Sequence, residues 1–277
     1  MSESVRDLLP SKLWNQFADL NAVPRPSKRE ARVIEFIRRF GESLGLKTRV
    51  DEVGNVIIRK PASPGMADRT PIVMQSHLDM VHQKNAGTEF DFDAQGIDMY
   101  VDGDWVKARG TTLGADNGIG VASIMTILAS DYIDHPAMEG LFTIDEETGM
   151  TGAMGLKGGL LEGKILLNLD TEEDHEITIG CAGGVDVTAR QRYSPEPASE
   201  SAGGYRIFVR GLKGGHSGIE IHLGRANANK LMNRLLWGAA RQFDLRVAEI
   251  DGGGLRNAIP RESVAGVAIA NEHAKDF

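Results

Sequence analysis

Residues 110–120 read GTTLGADNGIG: one carboxylate, Asp116, set among glycines and followed at once by an apolar run. Glycine lets backbone approach a ligand closely at little steric cost. A carboxylate at the mouth of a helix is favoured by the helix dipole and held by the free N–H groups of the first turn. Asp116 therefore has two readings, a helix cap or a ligand that the cap holds still. What separates them is whether other ligating side chains end neighbouring strands.

Downstream, residues 119–128 are apolar nearly all round and predict a buried helix. Residues 140–144 predict a short apolar strand ending in Asp145, Glu146 and Glu147. Residues 149–161 predict a glycine-interrupted helix, and 165–169 another buried strand, ending in Asp170. Upstream, Ile72, Val73 and Met74 begin a buried strand that runs into Ser76, His77 and Asp79. Residues 83–109 predict a long loop with a strand pair near 99–101 and 105–107, and a loop of that length is more often functional than idle. Residues 11–20 and 28–44 predict helices separated by the extended break VPRPS, and 48–60 two strands around Gly54 and Asn55. Three short apolar strands alternating with helices make the fold class α/β, a central sheet with helices on both faces.

The character changes after Gly183 and Gly184. Residues 185–193, 205–212 and 264–270 alternate like half-exposed strands, and 226–243 predict a helix. This is a second, smaller α+β layer. The expected organisation is a first domain over 1–182 and a second over 183–277, the second unfinished at Phe277. SPEPASESAGG reads as a solvated loop within the second layer.

Bulk composition narrows the function classes. Across 277 residues, 41% hydrophobic and 25% charged content are those of a globular protein. A formal charge of −8 argues against nucleic-acid binding, which calls for a basic face, and is compatible with cation binding. One cysteine, Cys181, has no partner for an internal disulfide and fits a reducing compartment. No run approaches the ~20 apolar residues of a membrane helix, and MSESVRDLLP lacks the form of a secretory signal. The expectation is a cytoplasmic protein.

At the carboxyl ends of the predicted strands lie His77 with Asp79, Asp116 at the loop-to-helix junction, Glu146 with Glu147, and Asp170. Ligands of open α/β sheets gather at that rim. Gathering carboxylates there without a cation is costly, and the escapes are protonation or a metal. One histidine with carboxylates and no nearby cysteine suits Zn²⁺, with Mn²⁺ or Co²⁺ as alternatives. An Asp offering one oxygen to each of two ions permits a pair ~3.5–4 Å apart, with a bridging water whose proton a free Glu removes. His82 falls on the opposite strand face from His77 and is not counted as a ligand. His135 and His175 read as surface residues.

MQSHLDMV, ARGTTLGADNGIG, DEETGMTGA, LLNLDTEE and KGGHSG together resemble the aminoacylase- and carboxypeptidase-like family of co-catalytic metallopeptidases. The resemblance covers nearly the whole chain, and GADNG favours the dipeptidase branch. It implies a catalytic layer, a lid that also dimerises, two divalent metal ions and hydrolysis of dipeptides, Xaa-His included. His77, Asp116 and Asp170 would bind one metal, Asp116 would bridge to the second, and Glu147 would bind that second ion. Glu146 would be the general base, and Asp79 would orient His77. His216 of KGGHSG would reach a neighbouring subunit's site to stabilise the oxyanion; its other reading is a surface turn histidine. Asn257 of RNAIP would contact substrate, or simply form the turn before Pro260.

The family's second metal also takes a histidine from near the end of a longer chain. His273, in NEHAKDF, does not occupy that context. The expectation is therefore an N-terminal portion of such an enzyme. Two alternatives stand beside it: a non-catalytic remnant holding at most one metal, and an N-acyl amino acid deacylase with the same metal chemistry.

Overall fold

A computed structural model describes residues 4–85, 87–171, 175–181, 183, 185, 187–254 and 257–277. The chain divides into two compact units, Met1–Cys181 and Ala182–Phe277.

In the first unit, two helices open the chain, α1 (Ser11–Asn21) and α2 (Ala31–Ser43). Gly45, at φ +68°, ends the second of them in the left-handed region that glycine occupies freely. Strands β1 (Lys47–Val50), β2 (Val56–Lys60) and β3 (Ile72–His77) follow. Then come the hairpin β4 (Met99–Asp102) and β5 (Trp105–Ala108), helix α3 (Ala115–Leu128), β6 (Met138–Thr143), the short α4 (Thr151–Gly155) and β7 (Ile165–Asn168).

Five of these strands make one sheet in the order β1-β2-β6-β3-β7. β3 runs parallel to both β6 and β7, while β2 is antiparallel to β6 and to β1. The parallel trio aligns its carboxyl ends, which is what carries His77, the turn after β6 and Asp170 to one rim. Along β2, Val56 and Ile58 face Val33 and Ile37 of α2 and Val121, Ile124 and Met125 of α3 in the main core. Ile57 alternates to the other face and packs with Val73 and Leu141 against Leu156, Leu160 and Leu161. That period of two is what a sheet covered on both faces requires.

Two expectations fail in this unit. The helix predicted over 149–161 is confined to α4; Leu156 is extended and Gly159 sits at φ +81°, so the apolar residues that follow cover the sheet as a loop. The strand predicted as buried over 165–169 lies at the sheet's edge, with Ile165, Leu166 and Leu167 each about half exposed. A continuous apolar run signals a strand, and does not by itself say that the strand is central.

In the second unit β8 (Ala202–Val209), β10 (Arg246–Gly252) and β12 (Ser263–Ala270) form an antiparallel sheet in the order β10-β12-β8. The short β9 (Gly215–His216) pairs with β11 (Ala258–Ile259). Helix α5 (Ala228–Phe243) starts at Asn227, whose side chain accepts from Lys230 N, a standard N-cap. It packs Met232, Leu236 and Ala239 onto Ala265, Val267 and Ile269. The strand predicted over 185–193 is not formed: its described residues have no strand partner, and Val185, Val187 and Tyr193 are about 85% exposed. Strand β10 carries no apolar alternation, and its residues are nearly all exposed.

Candidate metal centre

His77 ends β3, and its side chain is buried. Its Nε2 lies 3.0 Å from Asp116 Oδ1, 3.8 Å from Asp170 Oδ1 and 4.0 Å from Glu146 Oε2. On the other side of the ring, Nδ1 is 3.1 Å from the backbone oxygen of Asp79 and 3.3 Å from its Oδ1. Two sets of ligand atoms lie within 4.8 Å of one another: His77 with Glu146 and Asp170, and His77 with Asp116 and Glu147. Six of the residues singled out in the sequence are thus brought together, and both glutamates of the pair offer an oxygen to the cluster.

Among the described residues, the Asp116 carboxylate faces His77 and not the N–H groups of a helix start. α3 is kinked at its beginning: Gly114 precedes it at φ +71°, and regular helical angles resume only after Asn117. Asp116 and Asn117 keep non-helical angles, with a cis peptide between them, and the Asp116 carboxylate turns to His77 instead of the helix N–H groups. The loop before it is tied down by its backbone. Asn85 N donates to Gly110 O, Thr112 N to Gln83 O, and Thr112 Oγ1 to Val81 O. Glycine at 114 is required twice over, by its angle and by space, since a Cβ would sit 2.5 Å from Arg25 Nη2.

Asp79, fully buried, is the knot beneath the site. Its carboxylate accepts from Glu146 N at 3.0 Å, Glu147 N at 3.2 Å and Ser27 Oγ at 2.8 Å. Asp145, at φ +53°, begins the turn that presents the two glutamates, and it is held by Thr148, Thr151 and Lys28. Buried Glu30 joins Asp79 and Asp145 in a third acidic set, which these protein donors already satisfy.

Electrostatics follow from this crowding. Burial disfavours the His77 imidazolium, but its bonds to Asp116 and Asp79 outweigh that and hold its pKa at about 10. Burial likewise opposes the Asp79 anion, yet His77, Glu146 N and Ser27 bring it down to about 2. The bond from His77 lowers Asp116. Burial, reinforced by neighbouring carboxylates, raises Glu147 to about 7 and Asp170 to about 6, and Glu146 is raised for the same reasons. The contacts of His77 with Asp116 and Asp79 are what offset the gathered negative charge. That donor set fits a divalent cation, which His77, Asp116, Glu146, Glu147 and Asp170 would be the residues to hold.

Sequence reasoning missed Arg25. Its guanidinium is 1% exposed and donates to Leu78 O, Asp79 O, Gly114 O and Asn21 Oδ1. Desolvation lowers its pKa to about 10, so it remains a cation at neutral pH. The available signal was an arginine between two prolines in an extended break, where it cannot sit on a helix face. Arg25→Met, which keeps the stem and removes every donor, is expected to destabilise the protein by about 3 kcal/mol in chemical unfolding. A change under about 0.5 kcal/mol would show that the buried acceptors do not need it.

The other expectations divide. His82 packs edge-on against Phe92, 5.9 Å between centroids. His135 is 6% exposed, not a surface residue, because its main chain is pinned to Ser63 and its Nδ1 to Pro136 O. His175 has an exposed side chain. His216 and Asn257 lie in the second unit, where the segments carrying them are joined by Ser217 N donating to Asn257 O.

Residues 208–277 match the peptidase dimerisation domain of the M20 group. The chain is 49% identical over 270 residues to the cytosol non-specific dipeptidase of Escherichia coli, covering 98% of this chain and 56% of that one. The crystal structure of aminoacylhistidine dipeptidase from Vibrio alginolyticus superposes with a TM-score of 0.73 at 46% identity, over 99% of this chain and 56% of that one. A Staphylococcus aureus tripeptidase, 16% identical with a TM-score of 0.51, covers 96% of this chain and 68% of its own and shares the fold. The chain thus spans just over half the length of these two dipeptidases.

Proposed function

We propose, from the 49% identity to the E. coli cytosol non-specific dipeptidase over 98% of this chain and the match of residues 208–277 to the peptidase dimerisation domain, that the protein serves metal-dependent hydrolysis of dipeptides of broad sequence, Xaa-His included. The observation that carries the reading is His77 Nε2 set among three carboxylates at one sheet rim. His77, Asp116 and Asp170 would hold one divalent ion, and Asp116 with Glu147 a second, Zn²⁺ first and Mn²⁺ or Co²⁺ as alternatives. When bound, such ions polarise a peptide carbonyl and bring the pKa of a water to about 7.

The residues of the chain do the rest. Glu146 accepts a proton from the attacking water and passes it to the leaving amine nitrogen, which lets the C–N bond break with no free amide anion. Asp79 fixes the ring of His77 and, through Glu146 N and Glu147 N, the turn that carries both glutamates. His216 donates a hydrogen bond to the oxyanion at a neighbouring subunit's site, and Asn257 contacts substrate. Residues 1–182 act as the catalytic domain and 183–277 as the lid, through which two copies pair. Among the described residues no helix is long and apolar enough to cross a membrane; we place the protein in the cytosol, as its E. coli relative is named.

The test is a chelator. Hydrolysis of a simple dipeptide is expected to fall to background after metal removal and to return with Zn²⁺, Mn²⁺ or Co²⁺. Calorimetric titration of the same sample counts the ions. Two equivalents with turnover support the reading. One weak equivalent without turnover points to the non-catalytic remnant, and faster hydrolysis of N-acetyl amino acids than of dipeptides points to a deacylase.

A further inference from the structure

His216 Nδ1 lies 3.0 Å from Gly218 N and 3.2 Å from Ile219 N. Both are backbone amides, which carry their protons in every state of the protein, so the direction of these bonds is not a matter of choice. Nδ1 must accept, and an imidazole nitrogen that accepts has no proton of its own. In the neutral ring the proton then sits on Nε2.

The turn is built to hold this. A Cβ at Gly218 would lie 3.1 Å from His216 Cε1 and 3.2 Å from Nδ1, so glycine gives the ring room to close over the following amides. Gly215, at φ +145°, leaves room for Glu220, whose Oε2 would lie 2.6 Å from a Cβ there. Glu220 Oε2 accepts from His216 N at 2.8 Å, and its Oε1 accepts from Arg225 Nη2 at 2.6 Å. Arg225 in turn donates through Nη1 to Gly214 O at 2.6 Å. On the other side, His216 pairs with Ala258 across β9 and β11. The backbone of His216 is therefore fixed on both sides, and its ring is fixed by the residues that follow.

We infer that the turn after β9 locks His216 as the Nε2–H tautomer, with Glu220 the positioning residue that holds the lock. A ring in this state presents Nε2 as a donor only. It suits an oxygen bearing negative charge, such as a substrate carboxylate or an oxyanion formed at a peptide carbonyl. It does not suit coordination of a metal or removal of a proton through Nε2, either of which moves the proton to Nδ1 and breaks both hydrogen bonds that Gly218 N and Ile219 N donate to it. The consequence for substrate rests on the proposed function; the tautomer does not.

The experiment is a two-bond ¹H–¹⁵N correlation spectrum of the ¹⁵N-labelled full chain without substrate, with the His216 signals identified by their loss in His216→Gln. The expected pattern is one protonated nitrogen, Nε2, and one unprotonated acceptor, Nδ1. A protonated Nδ1, or two averaged nitrogens, overturns the inference. Glu220→Gln keeps an acceptor for His216 N and is expected to keep the pattern, whereas Glu220→Ala is expected to average it. An unchanged pattern in Glu220→Ala removes Glu220 from the lock. Intact tautomer signals in a protein that hydrolyses no dipeptide would count against the proposed function and leave the lock standing.

Discussion

Glu146→Gln is expected to lower dipeptide turnover by about 10³-fold, the scale of a lost general base, while the number of metal ions taken up stays the same. The substitution keeps the size of the side chain and the main-chain bond from Glu146 N to Asp79 Oδ1, so the turn has no reason to move. What it removes is an oxygen that can accept and release a proton. Burial already raises the pKa of this carboxyl from its ordinary value, and a base works best when its pKa approaches the working pH. Steady-state kinetics and calorimetric titration on the same preparation check both halves. Retention of more than a tenth of the activity would remove Glu146 from the role. Loss of one metal equivalent would instead make it a ligand, as its place with His77 and Asp170 also permits.

Asp79→Ala is expected to destabilise the metal-free protein by about 3–5 kcal/mol, because it leaves three donors without their acceptor and takes from His77 one of the carboxylates beside it. The donors concerned are Glu146 N, Glu147 N and Ser27 Oγ, with His77 Nδ1 beside them. Metal affinity should fall as well, by about 10–100-fold, the usual cost of removing the group that orients a ligating histidine. Asp79→Asn keeps one acceptor oxygen and should lie between. Chemical unfolding of metal-free samples measures the first effect and titration the second. Wild-type stability in Asp79→Ala would show that the glutamate turn stands without it.

Much of this centre was legible because chemistry and chain direction coincide. Parallel strands end at one rim, so an apolar run that stops at His77, at Asp145 or at Asp170 announces where its polar residue goes. Asp116 was legible as a member of that rim, and its mode of support was not. A carboxylate after glycine at a helix start reads as a cap, and only its contact with His77 Nε2 shows where it turns. The buried supports were harder. Arg25 and Ser27 act over more than 50 residues of sequence, on Leu78, Asp79 and Gly114, and no local pattern encodes such partners. Exposure misled in both directions: β7 looks central by its apolar residues and lies at an edge, and His135 looks like a loop residue and is buried.

Arg25 also bears on how the protein moves. Its guanidinium joins the end of α1 to backbone 53, 54 and 89 residues away, on the two loops that carry Asp79 and Asp116. Opening either loop removes acceptors from a buried charge, which couples the two loops through one side chain. The rim that gathers the acids is therefore expected among the more slowly exchanging parts of the first unit in amide hydrogen exchange, unlike the mobile loops on which many binding sites are carried.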